Sequence, residues 1–148
     1  MDFEFDLDLG KYELLEKIGK GSFNKVYKVK ENATGRILAA LTQIEELSEN
    51  DDQTIGSNDH LSLKREICIV STSSHPSVLK FLGFSLFNFK NKKKPTFISE
   101  YMPNGNLREL IEKEQGGLSP AYWNDTRKLI IIYGIVSGMS YLHSKNVI

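Results

Sequence analysis

Along the first hundred residues, short apolar runs alternate with polar positions, and glycines and polar turns separate them. Residues 12–18, "YELLEKI", and 26–30, "VYKVK", predict two short strands with Gly19 and Gly21 between them. "ENATGR" (31–36) predicts a turn, and "ILAALTQI" (37–44) a third strand. "SENDDQTIGSNDH" (48–60) is polar and aperiodic and reads as a solvated loop. A helix comes next, with Asn58 or Asp59 as its N-cap and Leu63, Ile67 and Val70 on one face. After "SSHPS", two more strands are expected over 78–87 and 96–102, separated by "NFKNKKKP".

From Asn104 the period becomes helical. Asn106 with Glu109 three residues on makes a capping-box-like start, and Gly116-Gly117 an end. A longer helix is expected from Ser119, with Pro120 in its first turn. It is apolar almost all round (Leu129, Ile130, Ile131, Ile132, Ile135, Val136, Met139) and calls for burial on every side.

Composition narrows the classes. Among 148 residues, 19 basic and 19 acidic side chains cancel, so no charge imbalance points to nucleic acid or an anionic membrane. Cys68 is the one cysteine, which forbids an internal disulfide and suits a reducing, cytoplasmic setting; in "REICIVS" it reads as helix core. The acidic start "MDFEFDLDLGK" has no signal-peptide pattern, and no apolar run is long enough for a membrane span. The lysines of "NFKNKKKP" read as a solvated turn, with a small basic docking patch as the alternative.

The chemistry lies in "KIGKGSFNKVYKVK". A Walker loop needs Gly-Lys-Ser/Thr opening a helix, and a dinucleotide fingerprint needs strand, glycines, helix. Here a strand pattern comes after the glycines. Strand, glycines, strand is the arrangement in which a hairpin folds over a nucleotide and its amides approach the phosphates.

With its further motifs at the right intervals, the chain resembles a eukaryotic-type protein kinase domain, from about residue 11 to the last residue. "IGKGSFNKVYKV" is similar to its glycine-rich loop, "GRILAALTQI" to its third strand and "LKREICIV" to its helix C. "HPSVLKFLGF" resembles the link and fourth strand, "TFISEYMPNGNLREL" the fifth strand, hinge and helix D, and "IIYGIVSGMSYLHSKNVI" helix E. The hinge and "YLHSKNVI" lean towards the tyrosine-kinase-like group. The resemblance implies an α+β, protein-kinase-like fold: a five-stranded antiparallel N-lobe sheet with helix C, then helices D and E of an incomplete helical C-lobe. Residues 1–10 would be an acidic tail, 11–100 the N-lobe, and 101–148 the hinge and partial C-lobe.

The same resemblance implies a site for ATP with magnesium. Ile18, Val26 and Ala40 would wall the adenine pocket, and Glu100 and Met102 would offer hinge backbone groups. Ser99 would stand behind as gatekeeper. Gly19 and Gly21 would let the loop close, with Phe23 at its tip, and Glu66 would be the helix-C glutamate. The chain departs from the family pattern in three places. Asn24 replaces the third glycine, which its tolerance of left-handed angles would ease. Thr42 stands where the Ala-x-Lys lysine is expected, and no lysine occurs between Lys30 and Lys64. Lys25 is expected to point away from Val26, and Lys28 to share its face further along. The sequence given ends before the family's catalytic loop, so no catalytic residue or metal ligand is assigned, and His143 reads as structural.

The expectation is thus a protein (Ser/Thr) kinase family member, binding a nucleotide and a protein substrate or partner, and inactive in phosphoryl transfer as the chain stands. The alternatives are a pseudokinase-like nucleotide-binding or scaffold module, or an inert gene fragment.

Overall fold

The computed structural model of the chain describes residues 7–22, 24–43, 71 and 73–147. They form two units. One runs to Ser74 and resumes over Leu79–Tyr101; the other joins His75–Val78 to the chain from Met102 onward. The helix expected after Asn58 lies outside the described residues.

The first unit is an antiparallel sheet of β1 (Tyr12–Lys20), β2 (Asn24–Glu31), β3 (Ile37–Gln43), β4 (Phe81–Ser85) and β5 (Thr96–Glu100), in the order β1-β2-β3-β5-β4. β4 is shorter than the expected 78–87, and β5 stops at Glu100.

The turn between β2 and β3 fixes everything across it. Gly35, at φ 72°, takes a conformation that a side chain would strain. Its N–H donates to the Glu31 carbonyl at 2.8 Å, and Glu31 N–H donates to the Arg36 carbonyl at 2.9 Å. Lys30 therefore lies opposite Ile37, and the ladder continues as Tyr27 with Ala40, Val26 with Leu41 and Lys25 with Thr42. Directly opposed residues in an antiparallel pair share a sheet face.

Burial separates the two faces. On β3, Leu38, Ala40 and Thr42 are buried, while Ala39 and Leu41 between them are partly exposed. Val29, Leu38, Ala40 and Ile98 form the core, with Leu7, Leu9, Tyr12, Tyr27, Leu82 and Phe89 packed against it. Each large aliphatic side chain buried there contributes about 1.5–3 kcal/mol. The same face holds a polar pair: Thr42 Oγ1 and Thr96 Oγ1 are hydrogen-bonded at 3.1 Å, both buried.

The segment before β1 lies over this core face. Leu7 N–H donates to the Phe84 carbonyl at 2.7 Å, and Asp8 caps a 3-10 turn over Leu9–Lys11 by accepting from Gly10 N–H. Partial burial, then the nearby Glu31 carboxylate, hold the Tyr12 phenol above its usual range, with Arg36 opposing.

In the second unit, α1 (Leu107–Gln115) begins as its sequence predicts. Asn106 Oδ1 accepts from Glu109 N–H at 2.9 Å, and Asn106 Nδ2 donates to the Glu109 carboxylate at 2.7 Å. It ends at Gly116 and Gly117, the latter at φ 71°, with Leu118 N–H donating back to the Lys113 carbonyl.

The longer helix, α2 (Asp125–Ser144), starts later than Ser119. Trp123 explains the delay. Its N–H closes a turn on the Pro120 carbonyl, and its buried indole donates to Glu114 Oε2 at 2.9 Å. Asn124 then caps the helix by accepting from Arg127 N–H at 3.0 Å. Burial on every side is not found. Leu129, Ile132, Tyr133 and Val136 are all more than half exposed, and Gly138 is the buried residue of the helix.

Candidate functional site

The glycine hairpin joins β1 to β2. Gly19 lies opposite Val26 and Lys20 opposite Lys25, and Gly21 N–H donates to the Asn24 carbonyl at 2.8 Å. Neither glycine has a positive φ. A Cβ on Gly19 would meet Val26 at 3.6 Å, and one on Gly21 would meet the Asn24 carbonyl at 3.8 Å, which is ordinary contact. Turn geometry and packing therefore do not require glycine here. Asn24 is an ordinary β2 residue and does not use the left-handed conformation expected to favour it.

The sheet face opposite the core, termed the open face, carries the rest; its residues on β2, β3 and β5 are partly exposed, and Phe84 of β4, opposite Phe97, is fully buried. Val26 lies opposite Leu41, Leu41 opposite Phe97, and Ala39 opposite Ser99. These five residues thus form one band across β2, β3 and β5. Phe81 of β4 also lies opposite Ser99, its ring 6.2 Å from that of Phe97.

This register corrects the placement of the third strand. Ala40 and Thr42 were expected beside Val26, but they lie on the core face with Tyr27 and Lys25. The open-face positions are Ala39 and Leu41, one residue earlier. If the lysine position is counted by face, a leucine occupies it. Sequence reasoning missed both residues, although pairing Lys30 with Ile37 across the predicted turn would have found them.

The other expected residues fall in several places. Gly19, Val26 and Ser99 come together on the hairpin and band. Ile18 sits at a β1 irregularity and is 42% exposed. Ser99 Oγ points to the Glu100 carbonyl at 3.4 Å. Glu100 closes β5; its carboxylate accepts from Lys80 N–H at 2.6 Å, and its N–H donates to the Lys80 carbonyl at 3.0 Å. Met102 belongs to the second unit. Phe23 and Glu66 lie outside the described residues.

The positions of the lysines come from the same register. Lys25 lies on the core face opposite Thr42, hence away from Val26 as expected. Lys28, opposite Ala39, is on the open face, where its Nζ pairs with Glu16 at 3.2 Å and stands 5.3 Å from the Tyr101 ring centre. Lys30 pairs with Glu13 at 3.8 Å. Among the described residues no group of three or more His, Cys, Asp or Glu could hold a metal ion. No helix among them is long and apolar enough to cross a membrane.

Comparison with known proteins gives this geometry its context. A probable serine/threonine-protein kinase of Dictyostelium discoideum is 34% identical over 140 residues, which is 95% of this chain and 25% of that protein. The Aurora kinase of Saccharomyces cerevisiae is 31% identical over 142 residues, 96% of this chain and 34% of its own length. The dual specificity testis-specific protein kinase 2 of Mus musculus is 32% identical over 132 residues, 89% of this chain and 20% of that protein. The chain thus spans about a third or less of these curated relatives. Residues 12–148 match the family model of the protein kinase domain, in keeping with the five-stranded sheet and its glycine hairpin, and the chain belongs to that family.

Proposed function

We propose that this chain is the nucleotide-binding lobe of a protein kinase of the serine/threonine type, in the tyrosine-kinase-like group, and that it does not itself transfer phosphate. The observation that carries the proposal is the open-face band. Val26, Ala39, Leu41 and Phe97 give a flat apolar surface beneath a hairpin whose glycines leave room for a ligand. A purine ring fits that surface, and Ser99, opposite Ala39, is the polar residue beside it.

The phosphate half fits less well. In protein kinases the third-strand lysine holds the nucleotide phosphates, and acidic residues hold magnesium. Here the open face offers Leu41 at that place. The cofactor pair of ATP and magnesium therefore matches the described residues in its adenine part only. A pseudokinase-like module, working through a bound nucleotide and a protein partner, is the second reading that Leu41 favours. A cytoplasmic setting rests on Cys68 being the one cysteine.

The test is adenosine binding by the purified chain, followed by calorimetry, for the wild type and for Ala39→Phe and Lys90→Ala. Filling the open face at Ala39 should abolish binding, whereas Lys90→Ala, in the exposed turn between β4 and β5, should not change it. Equal binding by all three would refute the open-face site. Transfer of labelled phosphate from ATP to protein above background would refute inactivity.

A further inference from the structure

We infer that the open face selects an uncharged purine-type ligand, a nucleoside in preference to its magnesium–triphosphate form, and that Leu41 sets this selectivity. The inference rests on the nucleotide-lobe reading above and specifies its ligand. A polyanionic phosphate tail needs cations or N–H donors to offset the loss of its hydration. The described residues beside the band supply few. Gly21 N–H is already bonded to the Asn24 carbonyl at 2.8 Å. Lys25 belongs to the core face, opposite Thr42. Lys28 is on the open face but is paired with Glu16 and stands over Tyr101, at a ladder position two residues along β2 from Val26.

Leu41 lies between Val26 and Phe97 in the band. Its side chain adds apolar contact for a flat ring and has no donor for an anion. A ring system therefore gains from this surface, while a phosphate placed along β3 loses water without a charged partner among the described residues. The usual task of magnesium is to bridge phosphate oxygens and protein carboxylates, and the described residues of the band include no carboxylate for it.

Calorimetric titration of the full chain with adenosine and with ATP, each with and without magnesium, tests this in the wild type, Leu41→Lys and Lys28→Met. The wild type should bind adenosine at least about threefold more tightly than ATP, with or without magnesium. Leu41→Lys should shift the ratio of ATP to adenosine affinity at least about tenfold towards ATP, with adenosine itself weakened as the apolar contact of Leu41 is lost.

A wild type preferring magnesium–ATP by about tenfold or more would overturn the inference and leave the nucleotide-lobe reading intact. Loss of that preference in Lys28→Met would then assign phosphate recognition to Lys28. A folded Leu41→Lys with no shift of that ratio towards ATP would overturn the role of Leu41. If that variant fails to fold by circular dichroism, the wild-type comparison of the two ligands decides alone. Binding of neither ligand by the folded wild type would sink the nucleotide-lobe reading itself.

Discussion

Replacing Thr42 by valine separates the two possible faces of β3 in a single stability measurement. In the structure Thr42 is 7% exposed, and its hydroxyl is bonded at 3.1 Å to that of Thr96, which is fully buried. Valine keeps the branched shape and removes the hydroxyl, so the Thr96 Oγ1 loses this partner. A buried polar atom left unpaired costs about 1–3 kcal/mol. With a urea slope of about 2 kcal/mol per molar, a loss of about 2 kcal/mol lowers the unfolding midpoint by about 1 M. The double variant Thr42→Val/Thr96→Val replaces both hydroxyls with methyls and should recover most of that loss, giving a coupling energy of about 1–2 kcal/mol. Adenosine affinity should not change. Urea unfolding followed by far-ultraviolet circular dichroism measures all three proteins. Were Thr42 on the open face, its hydroxyl would face solvent. A single variant within about 0.5 kcal/mol of wild type, with a merely additive double, would therefore refute the register.

Other expectations concern the second unit. Glu114 is held below the usual carboxylate range by its hydrogen bond from Lys128, then by that from the Trp123 indole. A carboxylate with a lowered folded-state value stabilises above its unfolded value of 4.5 and loses that contribution as pH falls through the lower folded value. Thermal melts across that acidic window should show a decline that Glu114→Gln largely removes; an identical decline in the variant would contradict it. Gly138→Ala places a Cβ 3.0 Å from the Ser77 carbonyl oxygen, whereas Gly134→Ala meets only Ser77 Oγ at 3.6 Å. Chemical denaturation should rank Gly138→Ala below Gly134→Ala by about 1–3 kcal/mol, and equal stability would contradict the close helix approach. The exposed apolar face of α2 should make the isolated chain self-associate, and Ile132→Lys with Val136→Glu should reduce this in light scattering without loss of helix signal. A monodisperse wild type at high concentration would count against it.

The places where sequence and structure agree are those where local chemistry decides. The β1–β2 hairpin, the Asn106 cap and the Gly116-Gly117 stop each depend on residues within a few positions of one another, and each was legible. The third strand was legible as a strand but not in its facing. Leu38, Ala39, Ala40 and Leu41 are four apolar residues in succession, so no alternation marks which side is buried. A slip of one residue turns every side chain to the other face, and the slip moved Ala40 and Thr42 into a site they do not share. The deciding information lay a few residues earlier, in the Glu31–Arg36 turn that sets Lys30 against Ile37.

The start of α2 failed for a related reason. Ser119 and Pro120 make a good local start, but the burial of Trp123 and its bond to Glu114, nine residues away, hold that stretch in a turn. The composition of Leu129 to Met139 predicted burial, yet apolar residues on a helix require a neighbour to cover them. The described contacts supply cover chiefly at Gly138, beside Ser77. The missed open-face partners, Leu41 and the Lys28–Glu16 pair, share one feature: their significance comes from strand pairing and not from any local motif.

The open-face site is tested most directly by intermolecular nuclear Overhauser effects from the purine protons of adenosine to methyl groups of the chain. Methyls of Val26, Ala39 and Leu41 mark the open face, and those of Val29, Leu38 and Ala40 mark the core face. Cross-peaks to the first three and none to the second three are predicted. Contacts to Ala40 and Leu38, or saturation with adenosine that leaves Val26, Ala39 and Leu41 without a cross-peak, would contradict it.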